Sequence, residues 1–160
     1  MSVEYDTLVK MNTFTVVDRP YNINVLPCKW VFKHKDNGLF KSRLVPLGCN
    51  EIAGIDYSDT YAPVSKHTSI RMLLSISAMN NLDIHQMDIT NAFPNALLKE
   101  NIYMSAIPGY PLGSNKVLKL NKALYGLKQS PKEWNTLMND FIISLKFVQC
   151  NDDKYIYMLK

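Results

Sequence analysis

Apolar and aromatic residues alternate with polar ones in two runs near the start of the chain, Thr13–Val17 (TFTVV) and Cys28–Lys35 (CKWVFKHK). Both are rich in β-branched and aromatic side chains and predict strands. Asp36-Asn37-Gly38 follows the second run. Asn-Gly readily takes positive φ, so a turn is expected there. Leu39–Gly48 (LFKSRLVPLG) then returns as the partner strand. The resulting hairpin carries Lys33, His34, Lys35, Lys41 and Arg43 near its tip and shoulders. Lys33 and Lys35 are two apart and share a face. The hairpin is expected to project from the body.

Glu4–Asn12 (EYDTLVKMN) reads as a short helix, and Gly54–Val64 (GIDYSDTYAPV), rich in turn formers, as irregular. A helix follows to about residue 79, with Ser65 or Thr68 as candidate caps. Its apolar residues Ile70, Met72, Leu73, Leu74, Ile76 and Met79 surround most of its circumference, which predicts deep burial. Asn80-Asn81 ends it. Leu82–Ile89 (LDIHQMDI) reads as a strand, and Val117–Gly126 as a short strand with a tight turn at Gly126. Ser130 as N-cap, Pro131 at the first helical position and Glu133 as the far side of a capping box open the last helix. Trp134, Leu137, Met138, Phe141, Ile142 and Leu145 recur on one face. That stripe is expected to lie against the strand holding Asp88. Lys154–Lys160 (KYIYMLK) alternates and predicts a final strand. Strands and helices mix without regular alternation, so the fold class is α+β.

A length of 160 residues makes one compact unit the default. An apolar share of 47% suffices for a core and argues against disorder. The net charge of +4 is compatible with a polyanionic partner. No stretch is apolar enough to span a bilayer, so no membrane association is expected. The opening residues lack the basic-then-apolar pattern of a signal peptide. Cys28, Cys49 and Cys150 are widely spaced, form no metal motif and fit a reducing compartment.

Asp88 is the sharpest chemical candidate, because Asp is depleted in strands and its charge needs a partner. A strand-end carboxylate beside a cleft can bind Mg2+, a hard cation that prefers oxygen. The plainer reading is a local hydrogen bond. Lys35, Lys41 and Arg43 can grip phosphates, Arg with a bidentate fork and Lys as a point charge, or simply form the solvated face of the hairpin. Gly126-Leu127-Lys128-Gln129-Ser130 precedes a helix whose free N–H groups can hold a phosphate or a nucleic-acid backbone. A turn and a cap explain the same residues without a ligand. His34, His67 and His85 lack partners at metal-ligand spacing, and Asp152-Asp153 reads as a turn before the last strand.

Taken in order, KWVFKHK, KSRLVPLG, GIDYSDTYAPV, IRMLLSISA, HQMDITNAF, ENIYMSAIPGY, LNKALYGLKQSPKEW and DDKYIYMLK span nearly the whole chain. Together they resemble the reverse transcriptase of copia-type retrotransposons. The resemblance implies fingers over about residues 1–80 and a partial palm, with inserted fingers elements, over about 81–160, in a single truncated domain. It implies an RNA-directed DNA polymerase acting on an RNA template, a DNA primer and deoxynucleoside triphosphates, as part of a larger Pol polyprotein. It also implies an intracellular location, in cytoplasmic virus-like particles and the nucleus.

By the same resemblance Asp88 is a catalytic metal ligand for Mg2+ or Mn2+, with the Ile89 backbone carbonyl as a second oxygen. Two such ions clamp the attacking and leaving oxygens of phosphoryl transfer. Phe93 looks like the steric gate against a 2′-hydroxyl, with core packing as its plainer role. Tyr125 and Gly126, with Lys128 and Gln129, resemble the turn beneath nucleotide and template. Arg43, with Lys41 or Lys35, resembles the residues that hold the triphosphate. Leu47, Cys49, Thr90, Pro94, Ala96 and Asn135 depart from the family pattern and suggest relaxed constraint. The family's Tyr-x-Asp-Asp hairpin, which supplies the other carboxylate, does not occur in these residues. The chain is therefore expected to be inactive alone. The competing readings are a noncatalytic remnant that at most binds nucleic acid through the hairpin, and a remnant with no function or one recruited for protein contacts.

Overall fold

The structure, a computed structural model, describes residues 1–36 and 38–159. The Asn37 part of the expected turn lies outside them. Contacts divide the chain into two compact units, residues 1–61 with 91–134 and residues 62–90 with 135–160.

The first unit opens with α1 (Ser2–Lys10), whose Leu8 is buried. Strands β1 (Phe14–Asp18), β2 (Val25–Leu26), β5 (Leu97–Met104) and β6 (Lys116–Lys122) form one sheet in the order β1-β6-β5-β2. The β1–β6 and β6–β5 pairs are antiparallel, and β2 joins β5 in parallel. A separate hairpin, β3 (Cys28–His34) with β4 (Phe40–Pro46), follows the expected pairing. Gly38 has φ +79°, and its N–H donates to the Lys35 carbonyl to close the turn. The core joins both sheets and α1 through Leu8, Leu26, Leu44, Ile102, Met104 and Leu118. Burying such side chains contributes about 1.5–3 kcal/mol each.

The second unit holds α2 (His67–Met79), residues 135–144 of α3 (Ser130–Ser144), and a short hairpin, β7 (Phe147–Gln149) with β8 (Tyr157–Leu159). Three expectations change here. No residue of α2 is buried, although its apolar residues ring the helix. Side chains are buried only where something covers them, and among the described residues nothing encloses this helix. Residues 82–90 form no strand and are exposed throughout. A strand exists by pairing its N–H and C=O groups, and none of the described strands pairs with this segment. Leu137 and Phe141 on α3, and Leu145 just past its end, are exposed, so the apolar stripe is only partly covered.

The caps also differ. Neither Ser65 nor Thr68 caps α2. Lys66 is the N-cap residue, and its backbone N–H donates to the Asp153 carboxylate at 3.1 Å. The turn expected at Asp152-Asp153 is present, and Asp153 Oδ1 also accepts the Tyr155 N–H. The Ser69 hydroxyl, followed by these two N–H groups, holds the Asp153 carboxyl below the usual carboxylate range. Ser130 is the first residue of α3 rather than its cap. Its hydroxyl donates back to the Leu124 carbonyl at 2.6 Å, and Glu133 pairs with Lys99.

Candidate nucleotide site

Three of the residues singled out from the sequence meet in the first unit. The Arg43 guanidinium lies 4.6 Å from the centre of the Tyr125 ring. The Phe93 ring lies 5.0 Å from the same ring, centre to centre, tilted by 47°. Each comes from a different element. Arg43 is on β4, Phe93 opens the 310 turn Phe93–Asn95, and Tyr125 follows β6. Tyr125 is 52% exposed, so its outer face is open to a ligand. A cation and two tilted rings provide charge for phosphate and flat apolar surface for a sugar or base.

The β3–β4 register fixes which other cations belong. Val31 faces Arg43 and Lys33 faces Lys41 across the ladder. Directly opposed residues share a face. Lys29, Lys33, Lys41 and Arg43 therefore line one side of the hairpin. Placing Lys33 opposite Lys41 is unfavourable for the sheet by itself. Lys35 lies just past β3, exposed, with its N–H on the Leu39 carbonyl. Behind this face, burial pushes the Glu4 carboxyl on α1 up, although the Leu44 N–H, Arg43 and Lys41 pull it down.

The Tyr125 turn is braced from beneath. Gly126 has φ +109°, and a Cβ there would meet the Pro46 carbonyl oxygen at 2.5 Å. A Cβ on Gly48 would run into the Gly126 carbonyl oxygen. Lys128 and Gln129 are built into this support. The Lys128 N–H donates to Glu51 Oε2 at 2.9 Å, and its Nζ reaches the Glu51 carbonyl and the Tyr57 hydroxyl, both at 3.2 Å. Gln129 is fully buried and donates to the Asp56 carbonyl. Its side chain belongs to the platform's interior. Glu51, Asp56 and Asn24 escaped the sequence reading. Asp56 accepts from Asn24 Nδ2 at 2.6 Å and from the Ile52 N–H at 2.8 Å. The only hint was carboxylates within a glycine-containing irregular stretch.

Asp88 and Ile89 belong to the second unit, in the irregular segment 82–90, and both are exposed. Their oxygens suit a hard cation in kind. Among the described residues no group of three or more His, Cys, Asp or Glu gathers to hold a metal. No helix among the described residues is long and apolar enough to cross a membrane.

Residues 11–160 match the family model described as reverse transcriptase (RNA-dependent DNA polymerase). The chain is 38% identical to the retrovirus-related Pol polyprotein from transposon TNT 1-94 of Nicotiana tabacum, over 98% of the chain and 12% of that protein. It is 34% identical to the corresponding polyprotein from transposon RE1 of Arabidopsis thaliana, over 100% of the chain and 12% of that protein. It is 34% identical to the transposon Ty1-ER2 Gag-Pol polyprotein of Saccharomyces cerevisiae, over 88% of the chain and 8% of that protein. The chain thus spans about an eighth or less of the relatives it matches. No solved structure matches it.

Proposed function

Since the chain belongs to the reverse transcriptase (RNA-dependent DNA polymerase) family of copia-type retrotransposons, we propose that it supplies the deoxynucleotide platform of an RNA-directed DNA polymerase within a Pol polyprotein. The observation that carries this reading is the Arg43–Tyr125–Phe93 cluster. Arg43 offers a fork to the triphosphate, backed by Lys41 and Lys35 at longer reach. Phe93 stands against the sugar, where its ring volume excludes a 2′-hydroxyl. Tyr125 and Gly126 form the floor.

In this reading about residues 1–80 form fingers and about 81–160 part of a palm with inserted fingers elements. Asp88 and the Ile89 carbonyl would hold Mg2+, or Mn2+ in its place. Bound there, the ion neutralises charge that grows during phosphoryl transfer. Catalysis then requires carboxylates beyond Asp88. The RNA template and DNA primer approach the basic hairpin face, and the polyprotein works inside the cell, in cytoplasmic particles and the nucleus.

The test is binding of a deoxynucleoside triphosphate to the purified chain and to Arg43→Ala and Tyr125→Ala. Saturable binding weakened by both supports the platform. Binding indifferent to both overturns it. A second reading, a noncatalytic remnant that binds nucleic acid, is favoured by the Lys33–Lys41 face alone. It predicts RNA binding that survives Tyr125→Ala.

A further inference from the structure

Glu51 is a buried carboxylate, 5% exposed, that the nucleotide reading does not use. It follows the 310 turn Gly48–Asn50 and faces the loop that carries Tyr125. Its Oε2 accepts the Lys128 backbone N–H at 2.9 Å, and its own carbonyl accepts from Lys128 Nζ. Gln129 comes within hydrogen-bonding reach of the same carboxyl. Yet Glu51 Oε1 and Gln129 Oε1 are both buried with no hydrogen-bond partner among the described residues. A buried acceptor left unpaired is costly. A site chosen for stability alone would carry a residue with a donor here.

We infer that Glu51 is a positioning residue for the platform: its carboxyl clamps the Lys128 amide, fixes the Gly126 turn, and so presents Tyr125 to Arg43 and Phe93. The inference rests on the proposed nucleotide reading and deepens it. Geometry explains why the clamp matters. Gly126 is in a left-handed conformation and packs against Pro46, which ends the strand that carries Arg43. The turn meets the Pro46 backbone and the Val45 side chain there with no room to spare, so small movements of the turn transfer directly to the Tyr125 ring. The Lys128 ammonium adds a second tie, to the Glu51 backbone carbonyl at 3.2 Å, while lying over the Tyr57 ring 4.5 Å from its centre, and this tie does not involve the carboxyl.

Only the acceptor oxygen on Lys128 is needed for this role. Glu51→Gln keeps that oxygen and replaces the other, unpaired one with an N–H2 group. It should therefore preserve the clamp. Glu51→Ala removes it, and Glu51→Asp shortens its reach by one methylene.

The experiment combines two measurements on the whole chain: amide hydrogen exchange at Lys128, and affinity for dGTP with Mg2+. Glu51→Ala should accelerate exchange at Lys128 about tenfold more than at core amides of β6 and weaken dGTP binding about fivefold. Glu51→Gln should leave both near wild type. If Glu51→Ala does not fold, Glu51→Asp serves in its place with the same expected direction. Unchanged exchange at Lys128 in a folded Glu51→Ala or Glu51→Asp chain overturns the clamp. So does a Glu51→Gln chain that behaves like Glu51→Ala. A wild-type chain that binds dGTP, loses it on Tyr125→Ala but ignores Glu51→Ala overturns the positioning role and leaves the platform standing. No dGTP binding by wild type, with Lys128 exchange still governed by Glu51, overturns the platform reading and reduces Glu51 to a structural clamp.

Discussion

Arg43 and Tyr125 are joined by a guanidinium-on-ring contact of 4.6 Å, which ties the hairpin strand β4 to the turn that follows β6. The contact itself is worth about 0.5–1 kcal/mol at an exposed site. Arg43 serves a triphosphate as well, so Arg43→Ala should weaken deoxynucleotide binding about tenfold, near 1.4 kcal/mol. Arg43→Lys should recover only part of this, because a point charge lacks the fork and stacks poorly. Isothermal titration of the three chains checks the order.

Phe93 should decide the sugar. Placed in a complete polymerase of this family, Phe93→Val should lower the preference for deoxynucleotides over ribonucleotides by about tenfold, within the range expected for pocket sterics. Competition between dGTP and GTP in primer extension measures it. Unchanged discrimination would leave Phe93 as packing for Tyr125.

Lys33 and Lys41 should contact phosphates without reading bases. Binding of single-stranded RNA should fall with salt, and each Lys→Ala change should reduce the slope of log K against log salt by about one. The loss should be similar for different sequences. Fluorescence anisotropy at several salt concentrations follows both.

Stability should change with pH in two ways. Burial raises the Glu51 carboxyl above its ordinary 4.5, so the folded chain holds that proton to higher pH than the unfolded chain. This contribution is full below about pH 4.5 and is lost as pH rises through the raised value. Glu51→Gln should remove that fall, as denaturant midpoints between pH 4 and 8 will register. Asp153 has the opposite sign. Its pKa is lowered from 3.8, so its contribution is present above that value and is lost as pH falls through the lowered one. Asp153→Ala should reduce α2 helicity at neutral pH, read by circular dichroism.

The purified 160-residue chain should not extend a primer with Mg2+ and deoxynucleotides, since the family pattern assigns it only Asp88. Extension that vanishes in Asp88→Asn would show that other carboxylates of this chain suffice.

Local chemistry was the legible part of this molecule. Asn-Gly between two β-branched runs predicted the hairpin, and the family resemblance singled out Arg43, Phe93 and Tyr125, which the fold brings into contact. Elements that depend on distant neighbours were misjudged. The ring of apolar residues on α2 predicted burial, and the apolar residues around Asp88 predicted a strand, but both need a covering or pairing segment that periodicity cannot supply. The Glu51–Lys128 clamp was hidden for a similar reason. It joins residues 77 apart, and nothing in either local stretch names the other.

Gly48 lies against the Gly126 carbonyl, and Gly126 in turn against the Pro46 carbonyl and the Val45 side chain, so neither position has room for a Cβ. Strain at a position such as Gly126 costs about 1–3 kcal/mol, and the backbone clash adds to it. The joint therefore records whether a copy of this element has been under selection. In copies drifting freely, nearly every amino-acid change at either codon breaks the junction on which the Tyr125 floor rests. Copies that have kept both glycines while their surface residues diverge are the ones in which folding of this unit has continued to matter.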